Sequence, residues 1–168
     1  MLGARFHAGL GRNGADTVMV DARAGWSLRP NLRFGAAWRG GYTKPDAGGA
    51  IVGGRLLSSG FAVDLEKTGV FAADDRLAVR LAQPLRVEHG GVRLNLPVDY
   101  DYATLSPRFA QSLYDLTPRG RELIGELAWR GELWGGDAAA SVYWRKDPGH
   151  HAAVPDDQGV AVKWSRGF

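Results

Sequence analysis

The sequence contains no cysteine. Disulfides and thiolate metal sites are thereby excluded. It has no run of roughly 18 apolar residues, which excludes a transmembrane helix. It also has no block of like charge. The 21 basic and 18 acidic residues are mixed along the chain, for a net charge of +3. That pattern gives no footing for nucleic-acid binding. Lysine is scarce, at positions 44, 67, 146 and 163 only, so arginine supplies most of the cations. The opening MLGARFHAGLGRNG lacks a charged segment followed by an apolar one, and so does not read as a signal peptide. If the protein is exported, the chain is expected to be missing its front end.

What is present is glycine and a period of two. The 24 glycines sit mostly in clusters such as RNGAD, KPDAGG, EHGG, LTPRG, WGGD and DPGHHAAVPDD, which read as turns or loops. Between them the residues alternate. In 17–28, Val18, Val20, Ala22, Ala24, Trp26 and Leu28 share one face, opposite Thr17, Met19, Asp21, Arg23, Gly25 and Ser27. In 31–42, Leu32, Phe34, Ala36, Trp38 and Tyr42 oppose Arg33, Gly35, Ala37, Arg39 and Gly41. In 92–102, Val92, Leu94, Leu96, Val98, Tyr100 and Tyr102 oppose Arg93, Asn95, Pro97, Asp99 and Asp101. Weaker versions run over 60–71, 76–87, 121–134, 138–146 and the final segment, with Gln83 among the apolar positions and Trp134 among the polar ones. Residues 1–11 fit a strand. The stretch 103–116 reads either as a long loop or as a strand before a TPRG turn. The expectation is nine or ten strands, no helix, and a single all-β domain over residues 1–168.

Alternating strands serve soluble sandwiches, soluble barrels and membrane barrels alike. Strands of about 11–14 residues exceed the five or six usual in soluble sheets and, tilted, span a bilayer core. Aromatics fall near strand ends, where headgroups would lie: Trp26, Tyr42, Phe71, Tyr100, Tyr102, Trp134, Trp144 and Phe168. The polar faces carry Asp21, Arg23, Arg33, Arg39, Arg80, Arg86, Arg93, Asp99, Glu126, Arg130, Arg145 and Lys163, together with Asp64, Glu66, Asp101, Glu122 and Glu132. Arginine forms forked pairs with carboxylates. A wet lumen crossed by such pairs accounts for its dominance. The plainer reading is a solvated face, where lysine would be at least as common. We therefore expect an antiparallel up-and-down transmembrane β-barrel, with these residues facing the lumen.

The ending, GVAVKWSRGF, places Val160, Val162, Trp164 and Phe168 on one alternating set. This resembles the terminal strand of outer-membrane barrels, which the barrel assembly machinery reads as its signal. Arg166 departs from the pattern.

Longer stretches carry a family resemblance. GFAVDLEKTGVFAADDRLAVRLAQPLRVEHGGVRLNLP (60–97), LTPRGRELIGELAWRGEL (116–133), YWRKDPGHHA (143–152) and KWSRGF resemble the C-terminal translocator barrel of autotransporters, especially those with a subtilisin-like serine peptidase passenger. QPLRVEHG and TPRGRE are its most specific parts. The resemblance implies a twelve-stranded barrel, a helix threading its pore and a passenger upstream. With fewer strands and no helix, the chain is expected to be the C-terminal part of a longer protein in the bacterial outer membrane. Its expected partners are the lipid bilayer, the assembly machinery and its own N-terminal passenger. If Phe168 is periplasmic, loop 147–158 is extracellular and turn 134–137 periplasmic.

No chemistry is expected of this chain. There is no G-x-S-x-G elbow and no subtilisin-type motif, so peptidase activity would belong to the passenger. His150 and His151 stand near Asp147, Asp156 and Asp157, residue types that suit a metal. The plainer reading, a polar loop, is the one we adopt, and no cofactor is expected. GGAIVGG (48–54) lacks phosphate-loop spacing and reads as a flexible loop. Two other functions fit the pattern: a standalone porin-like or adhesion barrel, and a soluble β-barrel that holds an apolar ligand inside. Orientation discriminates them. A soluble barrel buries Val18, Trp26, Phe34, Trp38, Leu94 and Leu96, and a membrane barrel turns them outward.

Overall fold

The computed structural model describes residues 14–167. The strand expected over 1–11, and Phe168, lie outside the described residues. Within them the chain is all-β, with strands β1 (Ala15–Arg29), β2 (Leu32–Pro45), β3 (Ile51–Thr68), β4 (Arg76–Asp101), β5 (Ser106–Asp115), β6 (Leu123–Leu133), β7 (Gly136–Lys146) and β8 (Asp157–Ser165). The order is β1-β2-β3-β4-β6-β7-β8, with β5 also paired to β4. Pairing is antiparallel in β4–β5, β4–β6, β6–β7 and β7–β8. Among the described residues β1 and β8 are the two ends of this order, and the sheet is not closed. The only helical element described is a 3-10 turn, Pro148–His150.

Among the described residues there are eight strands, and the expected strands 76–87 and 92–102 are one of them, β4. EHGG does not reverse the chain. It lies inside β4, which runs for 26 residues. Gly90 has φ 115°, and a Cβ there would sit 2.0 Å from the carbonyl oxygen of Arg55. Only glycine suits that combination of dihedral and close backbone approach. GGAIVGG likewise leads into β3, which starts at Ile51. The stretch 103–116 resolves as a turn followed by β5. Trp134 leaves the alternation because it forms a turn. With φ 52°, next to Gly135 at 69°, it makes the two-residue connection between the paired Leu133 and Gly136.

Contacts divide the chain into two compact units. The first holds described residues 14–20, 40–59 and 87–117. Ile51, Leu56, Val92, Thr43 and Ser58 are buried in it. The hydroxyls of Thr17 and Thr43 meet at 3.0 Å. Its β4–β5 pairing runs from Gly91 opposite Asp115 to Asp101 opposite Ser106, with a register shift between Pro97 and Asp99. A bulge is one of the few places where a strand tolerates proline.

The second unit holds residues 21–39, 60–86 and 118–167. It pairs the start of β4 with β6, then β7, then β8. Residues directly opposite in antiparallel strands share a face. One row across these strands reads Val79, Leu127, Val142, Val160, and the next Leu77, Trp129, Ala140, Val162. The opposite face has rows Arg80, Glu126, Tyr143, Gly159 and Arg76, Arg130, Ala139, Lys163.

Apolar burial is sparse. Among the described residues five apolar side chains are buried, while 31 large apolar ones are exposed. Val160 and Val162 are 70% and 76% open, whereas Glu122 is 4% and Arg86 9% open. Of the six residues that discriminate the two orientations, Val18, Trp26, Trp38 and Leu96 are exposed and Phe34 and Leu94 are half-buried.

Candidate functional site

The polar face of the second unit is built from cross-strand charge pairs. Arg39, on β2, donates from Nε and a terminal nitrogen to the two carboxylate oxygens of Asp21, on β1, at 2.5 and 3.1 Å. Arg23 lines the same small cleft as Asp21 and Arg39. Arg80 lies 3.6 Å from Asp64 and opposite Glu126. Arg33 shares a small cleft with Asp64 and Glu66. A larger cleft of about 460 Å³ is lined by Glu66, Arg76, Glu126, Arg130 and Lys163. Ala78, Ala128, Ser141 and Ala161 form one row beneath it, and their short side chains leave room for water. Both signs of charge and both faces therefore follow strand parity.

A buried knot joins segments far apart in the chain. Arg86 points its guanidinium at backbone oxygens, donating from Nε to Gly120 O at 3.0 Å and from a terminal nitrogen to Pro118 O at 2.6 Å. Arg121 reaches the side-chain oxygen of Gln83, and its amide donates to Asp147 at 3.1 Å. Glu122 takes two bonds from Arg145 on one oxygen, at 3.0 and 2.7 Å, and the Gly149 amide on the other at 2.8 Å. Arg145 also lies 3.5 Å from Asp157. Burial pushes the Glu122 carboxyl up. The bonds from Arg145 and Gly149 outweigh it and hold the group below its ordinary value.

His150 closes the knot. Its Nδ1 accepts the Glu122 amide at 3.0 Å, so that nitrogen is unprotonated, and its Nε2 then donates to Leu85 O at 3.2 Å. Both ring nitrogens are occupied by backbone, which leaves this imidazole no lone pair for a metal. Its own carbonyl accepts the Gly120 amide at 3.0 Å. The reading of 147–158 as a polar loop thus understates His150, which is 9% exposed.

A second buried carboxylate ties the β3–β4 turn to β6. Asp75 accepts the amides of Val70 at 2.7 Å and Phe71 at 2.9 Å, and the indole N–H of Trp129 at 2.9 Å. The indole and these amides hold its carboxyl below the ordinary value, against burial. Nothing local in the sequence marks Asp75 as an acid whose partner lies 54 residues away.

The remaining predicted residues are dispersed. Asp99 stands opposite Arg108 in the β4–β5 register. Arg93 is exposed, opposite Leu113, in a different cleft of the first unit. Val160, Val162 and Trp164 project from the exposed face of β8, and the Trp164 indole donates to Leu133 O at 2.9 Å. Phe168 lies outside the described residues.

Comparison with models of known protein families, with curated proteins and with solved structures returned no match.

Proposed function

We propose that this chain is part of an outer-membrane β-barrel, with its apolar face in lipid and its charged face along a hydrated path, and that it anchors and translocates an N-terminal passenger. The observation that most supports the membrane reading is the cross-strand row Val79, Leu127, Val142, Val160, every member of which is exposed. Full burial of one such side chain is worth about 1.5–3 kcal/mol. Leaving the 31 exposed ones in water forgoes on the order of tens of kcal/mol, more than the net stability of a domain. Lipid removes that penalty for those on the apolar face of the strands. Strands β6 and β7, of 11 residues each, and β8, of nine, match the length that crosses a hydrocarbon core. The translocator role rests on the resemblance of residues 60–97, 116–133 and 143–152 to autotransporter barrels. This reading assigns no catalysis to the chain.

Refolding beside phospholipid vesicles tests the membrane part. The chain should float with the vesicles and resist alkaline extraction. A chain that stays monomeric in buffer without detergent contradicts it. A reporter fused upstream of the chain tests the second part. It should be cleaved by external protease in intact cells, and a protected reporter contradicts translocation while leaving the membrane reading in place.

A further inference from the structure

The first unit carries a cleft of about 880 Å³ that the charge pairing described above does not explain. Lys44 of β2, Arg55 of β3, and His89 and Arg93 of β4 line it, with Leu57 and Leu113 beside them. No carboxylate is part of its wall. Some arginines elsewhere in the sheet meet acids, as in Arg39 with Asp21, Arg80 with Asp64 and Arg145 with Glu122. Here, among the described residues, Lys44, Arg55 and Arg93 have no acidic counterpart. Asp115, opposite Gly91 on β5, accepts the Thr117 amide on its Oδ1 at 2.8 Å.

Like charges gathered without acids repel, and an anion in their midst removes the repulsion. Two guanidiniums present forked donors that match phosphate oxygens, and the ammonium adds a point charge. The walls are not purely polar. Leu57, Leu113 and Tyr42 are all exposed around the same cleft. A phosphate ion alone would leave most of an 880 Å³ space unfilled. That volume suits a ligand of several hundred Å³ with one charged end.

We propose that this cleft binds the phosphorylated headgroup of a membrane lipid, with Arg55, Arg93 and Lys44 on the phosphate and Leu57 and Leu113 against the start of the acyl chains. The assignment rests on the proposed membrane reading, because it requires lipid at the exposed apolar side chains.

The test uses the full chain refolded in dodecyl maltoside micelles, with bound lipid counted by native mass spectrometry. Phosphatidylglycerol is the probe, and phosphatidylcholine is the comparison, since its choline cancels the phosphate charge. The wild type should retain phosphatidylglycerol in preference to phosphatidylcholine. The double variant R55Q/R93Q should lose that retention at least about tenfold, the loss of two charge-assisted contacts. K44Q should lose less, and R80Q, whose arginine faces Asp64, should match the wild type. Equal retention of both lipids, or retention by R55Q/R93Q equal to the wild type, overturns the proposal. If excess inorganic phosphate displaces the lipid completely, the site is a free-phosphate site and the lipid assignment fails. Should the double variant not refold, K44Q carries the comparison, and unchanged retention there counts against the site. Insertion into pure phosphatidylcholine vesicles is measured separately. Its failure removes the membrane reading, whereas normal insertion without selective retention removes only the headgroup site.

Discussion

Arg145 and Glu122 are joined through two nitrogens on a single carboxylate oxygen, at 3.0 and 2.7 Å, while the other oxygen holds the Gly149 amide. The acid is almost fully buried and the arginine about one-third exposed. Breaking such a pair from one side leaves the other charge without its counterpart. Glu122→Gln should therefore destabilise the refolded protein by about 2–3 kcal/mol, read as a lower denaturant midpoint in detergent. Glu132→Gln, which removes no ion pair described here, should stay within about 0.5 kcal/mol. Equal midpoints for the two variants would contradict the role of the knot.

Acid should loosen the same fold. The carboxyls of Glu122 and Asp75 lie below their ordinary values of 4.5 and 3.8 in the folded protein. A depressed acid contributes stability that is fully present above its unfolded value and is lost as pH falls through its folded value. The unfolding midpoint should be level near neutrality and fall steadily once pH drops below the ordinary carboxylate range. Asp75→Asn should start lower at neutral pH and fall less on acidification. A wild-type midpoint unchanged down through that range would contradict the assignment.

Tyr143 stands directly opposite Gly159. A Cβ built on Gly159 would lie 2.6–2.8 Å from the tyrosine ring and hydroxyl. Those contacts are too short for the ring to stay where it is. Gly159→Ala should cost about 1–3 kcal/mol. In the Tyr143→Ala background the same change should cost much less, because the ring is gone. Additive losses in that double-mutant cycle would show that the ring is not the obstacle.

Val162 and Ala161 are neighbours on opposite faces of β8. Val162→Arg places a charge on the exposed apolar face, which in lipid should cost about 2–4 kcal/mol if the residue sits near the bilayer midplane. Ala161→Arg enters the polar cleft lined by Glu66, Glu126, Arg76, Arg130 and Lys163 and should cost less than the change on the apolar face. Vesicle-refolding yields compare the two directly. Equal yields would contradict the assignment of faces.

The alternation of β1 and β2 was legible because apolar and polar or small residues alternate along them. Asp21 and Arg39 could be assigned to one face from parity alone, and they meet there. The ends of strands were harder to read. EHGG contains the residues of a turn, yet Gly90 serves a close strand crossing within β4. Trp134 broke the pattern because a positive-φ turn uses it, and tryptophan gives no local warning of that. The knot was the least legible part. Arg86, Glu122, Arg145 and His150 belong to segments separated by 23 to 65 residues in their bonded pairs. TPRGRE and YWRKDPGHHA attracted notice as sequence, but only the fold shows that their polar groups are bonded to one another.

The most direct test is the position of the exposed tryptophans relative to lipid. Variants that retain only Trp144 or only Trp164, refolded into vesicles, should be quenched strongly by lipids brominated on their acyl chains and weakly by aqueous acrylamide. Strong acrylamide quenching with no response to the brominated lipids would place these rings in water and contradict a lipid-facing apolar surface.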